Sequence, residues 1–522
     1  MPRLSTGAAL AATVLIAAAF LLGILVGPLV RPVSGEPGGS SSPNASASNP
    51  AESPAASASA SPRPPEADYV GSLEVTPAKG RIGSQATLSG TGFDPGQELD
   101  VVWQGYTGEW VIDDTAAAGE NYKGRTYSEE TVPLGTVTAD AAGAFSTSFT
   151  VPDGFGFTHN VQVREGAVVR NQAAFSVEME VSVSPSSGPV GTPITVDVRG
   201  IGVSPLHSSW ELTYDNRFTG WMSAVTTRGH ARFTIPATGA LGPHVLKILH
   251  GSFTFPYLNM QQSPDPGRPT FTSIFTITAG DAVLPPPPGD QWDPFVAGAE
   301  PAASEGPAIW TDRLETIVGD RVVLHGRDLP PNTSLKVGWL TQVGVDTAII
   351  GGSGEDRPAA DWALGTAEVG SDGRLAWEFE IPADKGGWHD ISLTGGETVV
   401  AITQVRVRPM AEPLGTTQVR VGDVLTLHVT GVDDTDTGKI MMLVSDNGML
   451  GYSCSVTGQG DITIYLPAAG EPGWHFIDLY PGIYKGEDAR AVYNFRIPQL
   501  TYADDHPGET MPAFRFAYEI IS

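Results

Sequence analysis

The segment Ile381–Gly396 reads IPADKGGWHDISLTGG, and three other segments of the chain repeat its pattern. In each, an aliphatic residue and a proline precede a glycine-bearing loop, a histidine and two aliphatic residues at alternating positions. The four histidines are His159, His244, His389 and His475. Because side chains alternate between the faces of a strand, this two-residue period predicts that each histidine opens a half-buried strand and points to its core face.

Two further elements recur around this segment. The residues before each proline also alternate, which predicts a preceding strand that the proline ends. An aliphatic-glycine step opens each repeat, and its glycine is expected to allow a tight bend between the first two strands. The four steps are Ile82-Gly83, Val190-Gly191, Val318-Gly319 and Val421-Gly422. The spacing from this glycine to the histidine is long in the first and third repeats and equally short in the other two, which indicates a duplicated two-domain unit.

The repeats predict an all-β chain. Each covers about 90–110 residues with many short strands, as expected for a sandwich of about seven strands, and no segment after Val30 has a helical period over three turns. We expect four separate cores in a rod-like series. The predicted boundaries are a signal anchor or transmembrane helix at 1–33, a disordered Ser/Pro/Ala-rich tether at 34–68, sandwich domains one to four at 69–178, 179–280, 310–408 and 409–522, and a Pro-rich linker at 281–309.

The first residues predict export. Gly7–Val30 contains no charged residue, and a helix of this length would span roughly 36 Å, enough for a hydrocarbon core of about 30 Å. An uncleaved anchor is the favoured reading, because a signal peptide has a shorter apolar region; cleavage near Val33-Ser34-Gly35 is the alternative. Both readings place the rest of the chain outside the cytoplasm. The tether has too little apolar surface to offset its chain entropy.

Composition narrows the partners. The chain has 58 acidic and 30 basic residues, a formal net charge of −28, which argues against a nucleic-acid partner. Cys454 is the single cysteine, so neither an intrachain disulfide nor a CxxC site is possible. Stability must therefore come from packed cores.

A family resemblance covers most of the repeats. Val75–Trp103, VTPAKGRIGSQATLSGTGFDPGQELDVVW, resembles the opening of bacterial IPT/TIG-like domains in Thr76-Pro77, Gly83, Gly90-Thr91-Gly92-Phe93 and Pro95-Gly96. The stretch from Val183, VSPSSGPVGTPITVDVRGIG, is similar, whereas domains three and four keep only the aliphatic-glycine step and the alternation. The resemblance implies tandem immunoglobulin-like sandwiches, as in surface adhesins, spacers or accessory modules of exported enzymes.

No catalytic, cofactor-binding or metal-binding residue is predicted. Each repeat histidine is alone in its repeat, so we expect its ring to pack inward and to bond a loop backbone group, as a corner tyrosine does. His250 is expected in a loop. The acidic stretch Asp433–Gly438 departs from the EF-hand pattern and is expected to be a solvated turn rather than a calcium site. Asp504, Asp505 and His506 suggest an ion site by residue type in the same way, but no further pattern supports one.

The remaining conspicuous residues have structural interpretations. Cys454 lies in a strand-like context and is expected to pack rather than react. Trp103, Trp339 and Trp377 are expected to fill cores. Trp388 and Trp474 precede repeat histidines and should face away from the core, either onto a neighbouring domain or, as the alternative, onto a sugar ring. The insert Gln104–Pro133 is expected to be a variable surface loop.

The sequence thus predicts a non-enzymatic stalk, adhesion or assembly protein that is attached to a membrane by its N-terminal helix. The partner would be a protein or a cell-wall polysaccharide. A carbohydrate- or cell-wall-binding module accessory to an exported enzyme is the first alternative. A structural subunit of an envelope complex or filament is the second.

Overall fold

The computed structural model describes residues 69–113, 121–204, 208–252, 255–262, 268–291, 294–302, 306–343, 359–433, 435, 438, 440–455, 459–483, 497–508 and 511–522. The predicted leader and tether lie outside the described residues. Within the described part, we find no helix with the length and apolar character needed to cross a bilayer. Residues Glu66–Ser522 form one compact unit.

The described residues are arranged as strands β1 to β33, with two short 3₁₀ helices at Met260–Gln262 and Pro288–Asp290. Domain one contains β1 Ser72–Thr76, β2 Lys79–Gly80, β3 Gln85–Thr91, β4 Glu98–Asp113, β5 Asn121–Thr138, β6 Phe145–Thr150, β7 Phe157–Glu165 and β8 Val168–Val177. Domain two contains β9 Glu180–Ser184, β10 Ser187–Gly188, β11 Pro193–Arg199, β12 Trp210–Tyr214, β13 Arg217–Met222, β14 Ala231–Pro236, β15 Gly242–Ser252, β16 Phe255–Pro256 and β17 Phe271–Ile277.

The second half of the chain repeats this series. Domain three contains β18 Ala308–Thr311, β19 Glu315–Thr316, β20 Arg321–Arg327, β21 Ser334–Gln342, β22 Ala359–Glu368, β23 Leu375–Glu380, β24 Gly387–Gly395 and β25 Thr398–Val407. Domain four contains β26 Met410–Ala411, β27 Gln418–Val419, β28 Val424–Thr430, β29 Ile440–Ser445, β30 Gly448–Cys454, β31 Ile462–Pro467, β32 Gly473–Gly482 and β33 Phe514–Ile520.

All four domains have the same strand order. In domain one, a three-stranded sheet β1-β3-β6 accompanies a five-stranded sheet β2-β8-β7-β4-β5, and the short β2 runs parallel to β8. The other three domains follow the same plan, with β16 added to β15 in domain two. This is the order of an immunoglobulin-like sandwich, so the all-β prediction is confirmed for the described residues. Each domain has one strand more than the seven expected, or two more in domain two, because the opening strand is divided between the two sheets.

The predicted alternation explains the cores. In β3, Ala86, Leu88 and Gly90 are buried and the residues between them are not, and the corresponding strands β11, β20 and β28 alternate in the same way. The four bend glycines all have positive φ: Gly83 +78°, Gly191 +81°, Gly319 +81° and Gly422 +91°. A residue with a Cβ is strained in that region, so glycine allows the predicted bend.

Each domain has its own buried core, but the core of domain two is not separate from domain four. One buried cluster contains the core of domain two together with Ile440, Met442 and Val444 of β29. The intervening Met441 and Leu443 belong to domain four's own core. Strand β29 is therefore buried on both faces, and its unbroken apolar run is typical of such a strand.

Two domain junctions repeat the same backbone contacts. Between domains one and two, Gly156 N–H donates to Ile201 O at 3.0 Å, and within domain two the Ile201 N–H donates to Gly229 O at 3.1 Å. Between domains three and four, Gly386 N–H donates to Val432 O at 3.1 Å, and within domain four the Val432 N–H donates to Gly460 O at 2.9 Å. The repeated geometry supports duplication of a two-domain unit.

Candidate functional site: the repeat histidines and the domain junction

The histidines of domains one and three have matching surroundings. His159 Nε2 lies 2.9 Å from Phe155 O, four residues earlier in the loop, and its Nδ1 lies 2.9 Å from Gln104 O on β4. His389 repeats this with Lys385 O at 2.9 Å and Leu340 O at 3.2 Å. Each ring stacks on the tryptophan of the neighbouring strand, Trp103 or Trp339, with centroids 4.7 Å and 4.4 Å apart.

The histidines of domains two and four use a carboxylate instead. His244 Nδ1 lies 2.6 Å from Asp215 Oδ2, and His475 Nδ1 lies 2.7 Å from Asp446 Oδ2. Each aspartate and the asparagine after it have positive φ, which is the conformation of a two-residue hairpin turn between paired strands. Each Nε2 again faces a carbonyl oxygen four residues earlier, Ala240 O or Glu471 O.

Burial and charge set different proton affinities at these positions. Burial lowers the pKa of His159 against the opposing effect of neighbouring carbonyl groups, and it lowers the pKa of His389 against the opposing effect of Asp384 and the neighbouring carbonyl groups. Asp446 raises the pKa of His475. Every ring lies inside its own domain and contacts a loop carbonyl, so the predicted corner-like role is confirmed. Asp215 and Asp446 were missed, although an Asp-Asn pair at the same distance from both histidines is visible in the sequence.

The described residues of the insert Gln104–Pro133 do not form a surface loop. They lie within β4 and β5, which pair over their whole described length as a long hairpin. The far part of this hairpin is packed: Tyr122 is buried with Trp221 of domain two and with Ile483 and Ile497 of domain four. Alternating Trp110 and Ile112 lie against the same cluster, so this face of the insert contacts other domains rather than solvent.

Asp505 links three domains at this cluster. Its carboxylate accepts hydrogen bonds from Val225 N at 2.7 Å, Thr226 N at 2.8 Å and Thr226 Oγ1 at 2.7 Å in domain two. Trp110 Nε1 of domain one donates to the same carboxylate at 3.2 Å. The acidic tail segment thus has a structural use, because four donors hold one buried carboxylate. Gln499 lies beside it and faces His506 Nδ1 at 2.7 Å.

Domain four also covers one side of domain two. Asn447 Nδ2 donates to Pro236 O at 2.8 Å and lies 3.0 Å from Thr238 Oγ1. Arg515 Nη2 reaches Thr234 O at 3.4 Å, and a side chain on Gly191 would lie 2.7 Å from the ring of Phe476. The outer face of domain four's five-stranded sheet therefore lies against β14 and the bend at Gly191.

The other predicted positions have mixed outcomes. Asp433 Oδ1 accepts the Thr435 N–H at 2.9 Å in a local turn, whereas Asp434, Asp436 and Thr437 lie outside the described residues. His250 is not in a loop: it lies in β15, is buried, and stands edge-on to Trp210. Cys454 does lie in a strand, β30, but its thiol is exposed because it ends an edge strand, so the packing prediction is wrong.

The tryptophans largely follow the alternation. Trp103 and Trp339 are buried in their cores and Trp377 is half-buried against the core of domain three. Trp388 is 45% exposed on the outer face of β24, and Trp474 is half-buried. Both face away from the core as predicted.

One buried group was missed entirely. Glu211 on β12 is fully buried, and neither carboxylate oxygen has a hydrogen-bond partner. Burial raises the pKa of Glu211 well above its usual range. The residue pairs across the strands with Trp221 and Leu249, so the contacts of the outer sheet face bury it rather than the sandwich core. A lone glutamate in a strand carries no sequence signal for this.

Across the described residues, no group of three or more His, Cys, Asp and Glu side chains comes together as a possible metal site. No protein-family model matches the chain, and no curated protein matches it.

Similar solved structures include a tetra-tandem repeat in the extending region of a large adhesion protein, at 12% identity and TM-score 0.17, covering 80% of this chain and 96% of that one. An ICAM-5 D1–D4 ectodomain fragment is 13% identical with TM-score 0.16 and the same coverages. A protein from Corynebacterium diphtheriae described as membrane anchored is 10% identical with TM-score 0.16, covering 64% of this chain and 89% of that one. Because these TM-scores are low, the fold assignment rests on the strand order of the chain itself.

Proposed function

We propose that this chain is a non-enzymatic, extracytoplasmic stalk, adhesion or assembly protein, attached to a membrane by its N-terminal segment and acting through tandem immunoglobulin-like domains of the IPT/TIG-like kind. The observation that carries the proposal is that side chains which could do chemistry are engaged in hydrogen bonds inside the protein. The four repeat histidines and Asp505 are all bound within or between domains. The hydrogen-bonding atoms of these side chains stabilise the domains and their contacts, as expected of a protein that binds partners through its domain surfaces.

The leader and the charge support the same role. The apolar stretch Gly7–Val30 followed by a polar tether would carry the domains outward. A net charge of −28 favours repulsion between neighbouring molecules and a partner other than nucleic acid. The partner is then a protein or a cell-wall polysaccharide.

The test is cell fractionation combined with protease treatment of intact cells and N-terminal sequencing of the recovered chain. The expected result is a membrane-associated chain that external protease removes. Recovery of the full-length chain in the cytoplasmic fraction, protected from external protease, would contradict the proposal. The N-terminal sequence separates an anchor from a cleaved leader.

One observation favours the carbohydrate-binding alternative. Trp388 is 45% exposed on the sheet of domain three, and the next outward-facing residue, Asp390, accepts a hydrogen bond from Gln404 Nε2 at 2.8 Å. An exposed indole beside polar side chains is the arrangement that stacks on a sugar ring. The partner would be a cell-wall polysaccharide.

A pull-down of the full chain on cell-wall polysaccharide tests this alternative. Trp388→Ala is expected to reduce binding at least tenfold if the ring carries the contact. Ile402→Ala, which removes an exposed aliphatic side chain from the same sheet, is the matched control. Equal binding by both variants, or no binding by the wild type, would leave the stalk or adhesion role as the better account.

A further inference from the structure

Domains two and four correspond residue by residue. Asp215-Asn216 and Asp446-Asn447 form the same turn, His244 and His475 take the same position, and Gly191 and Gly422 form the same bend. In the contact between the two domains, the outer sheet face of domain four lies against the β14 side of domain two, and the β13 edge of domain two meets residues 498–500 of domain four. Among the described residues, the reverse arrangement, with the sheet face of domain two on the β31 side of domain four, is not formed within the molecule.

We call the strand β14 and the bend at Gly191 the receiving side of domain two; its equivalent in domain four is β31 with the bend at Gly422. The receiving side is covered in domain two and open in domain four. Strand β14 of domain two has Phe233, Ile235 and Pro236 buried. In the matching strand β31, Ile464 and Leu466 are only half-buried and Pro467 is exposed. Asn447 donates to Pro236 O, and Ile440, Met442 and Val444 lie in the buried cluster of domain two, so the sheet that domain four lays over β14 contributes to this difference.

The bend beside β31 shows the same difference. A side chain on Gly191 would strike the backbone of Val283 and the ring of Phe476 of domain four, whereas one on Gly422 would meet nothing within 4 Å. Around Gly422 and β31, three large side chains are exposed: Val421 at 63%, Val424 at 56% and Tyr465 at 70%. An apolar edge strand left open in this way is a template for association with another chain.

The outer face of the five-stranded sheet is the docking face, and in domain two it is partly open. Val245 occupies the position of Phe476 and is 38% exposed, and Ile274 on the adjacent β17 is 60% exposed. The half of this face near β13 is already covered by the hairpin of domain one and by residues 498–500 of domain four, both of which contact Trp221. The half formed by β15 and β17 therefore remains for a partner.

We propose that a second copy of this chain docks the β15–β17 face of its domain two onto the β31 side of domain four, repeating between molecules the part of the contact that β32 and β33 of domain four make with domain two within one molecule. A contact between two different surfaces is heterologous and propagates as a head-to-tail series. Because both molecules carry a net charge of −28, added salt strengthens the association by screening their repulsion. The inference concerns the ordered domains and does not depend on the proposed function.

The test is sedimentation velocity of the full chain in mild detergent, from about 1 µM to about 300 µM, at low and high salt. The wild type is expected to form dimers and larger species as concentration and salt rise. Tyr465→Lys disables the receiving side, and Ile274→Lys disables the docking face, so each variant alone is expected to remain monomeric. Val399→Lys is the matched control, an equally exposed aliphatic position in domain three, and it should associate like the wild type.

Mixing the two variants separates this contact from a symmetric one. Each molecule then has one working surface, so an equimolar mixture is expected to give dimers and nothing larger. Association driven by the leader would persist in every variant and would overturn the proposal. A monomeric wild type at every concentration, or a mixture that stays monomeric, would overturn it as well. Unchanged thermal unfolding of each variant shows that the exposed substitutions leave the fold intact.

Discussion

At the scale of single residues, Glu211 is the side chain whose burial is least supported by its contacts. It occupies the position of Met442 in domain four, and each of the two side chains lies over a glycine, Gly251 or Gly482. A buried polar group without a hydrogen bond costs about 1–3 kcal/mol. Glu211→Met is therefore expected to raise the stability of the protein by about that amount at neutral pH, measured by thermal unfolding.

The gain from Glu211→Met should grow with pH. A raised pKa means that the folded chain binds the proton more tightly than the unfolded chain, so wild-type stability falls as pH rises above about 4.3, up to the folded-state pKa. The variant lacks this loss. Glu74→Met, at an exposed position on β1, is the control and should change little. A destabilised Glu211→Met protein would show that the carboxylate has a partner in solution.

The repeat histidines are expected to respond to acid in opposite directions. Because the pKa of His159 is lowered, the wild-type ring loses its benefit as pH falls below about 6.5, so His159→Gln should cost more stability at pH 8 than at pH 5. Because the pKa of His475 is raised, its benefit is complete below about 6.5 and disappears at higher pH, so His475→Gln should cost more at pH 5. Unfolding curves at the two pH values measure both, and the same pH trend in both variants would contradict the assignment.

Sequence reasoning at this scale works for groups that recur and fails for groups that do not. Four histidines at one position in a repeating pattern point to a structural role, and the ring contacts agree. His250 and Cys454 each occur once, so only their local context was available. The local context does not predict the long strand β15, which buries His250, or the edge position of β30, which exposes Cys454.

At the scale of elements, the β4–β5 hairpin depends on the C-terminal segment that it contacts. Asp505→Ala would leave four donors around an empty position, and the expected loss is at least about 3 kcal/mol of stability. Faster limited proteolysis within Gln104–Pro133 should accompany it. Asp504→Ala removes an exposed neighbouring carboxylate and should leave both measurements unchanged. Equal effects from the two substitutions would contradict a specific role for Asp505.

The junction glycines are expected to be intolerant of any side chain. A Cβ on Gly156 would lie 1.7 Å from Gly200 O, and one on Gly386 would lie 2.1 Å from Gly431 O. Gly156→Ala should therefore separate the backbones of domains one and two and lower the unfolding temperature of the protein. Gly415→Ala is the control, because that glycine has open space around it and an ordinary φ. An unfolding temperature equal to that of the wild type would show that the junction adjusts freely.

Strands with one buried face were predictable, and elements buried on both faces were not. Alternation identified β6, β14, β23 and β31, because solvent on one side leaves a polar residue at every second position. The β4–β5 hairpin alternates too, but its content of Gly, Tyr and Asp favours a loop when the sequence is considered alone. Its partner is domain four, hundreds of residues further along the chain, and a local pattern has no information on such a partner.

At the scale of the whole molecule, the duplication of a two-domain unit explains which contacts repeat. Domains one and three share a tryptophan-stacked histidine, and domains two and four share an aspartate-paired one. Even a surface histidine–aspartate pair is retained, although the two residue types have exchanged positions. His230 faces Asp197 in domain two, and Asp461 faces His428 at the corresponding positions in domain four. The sequence spacing predicted this relation, whereas the packing of domain four on domain two breaks the repeat and could not be read from it.

The hydrogen bond between Trp110 and Asp505 joins residues 395 positions apart. Contacts of such separation form late in folding, since the chain between them must first be ordered. A polypeptide that stops short of Leu500 would complete the sheets of its first domain but would lack Asp505, the carboxylate that holds Trp110 of the β4–β5 hairpin. The anchoring of the hairpin of domain one thus depends on residues of domain four, and a product truncated before Asp505 would remain open to degradation.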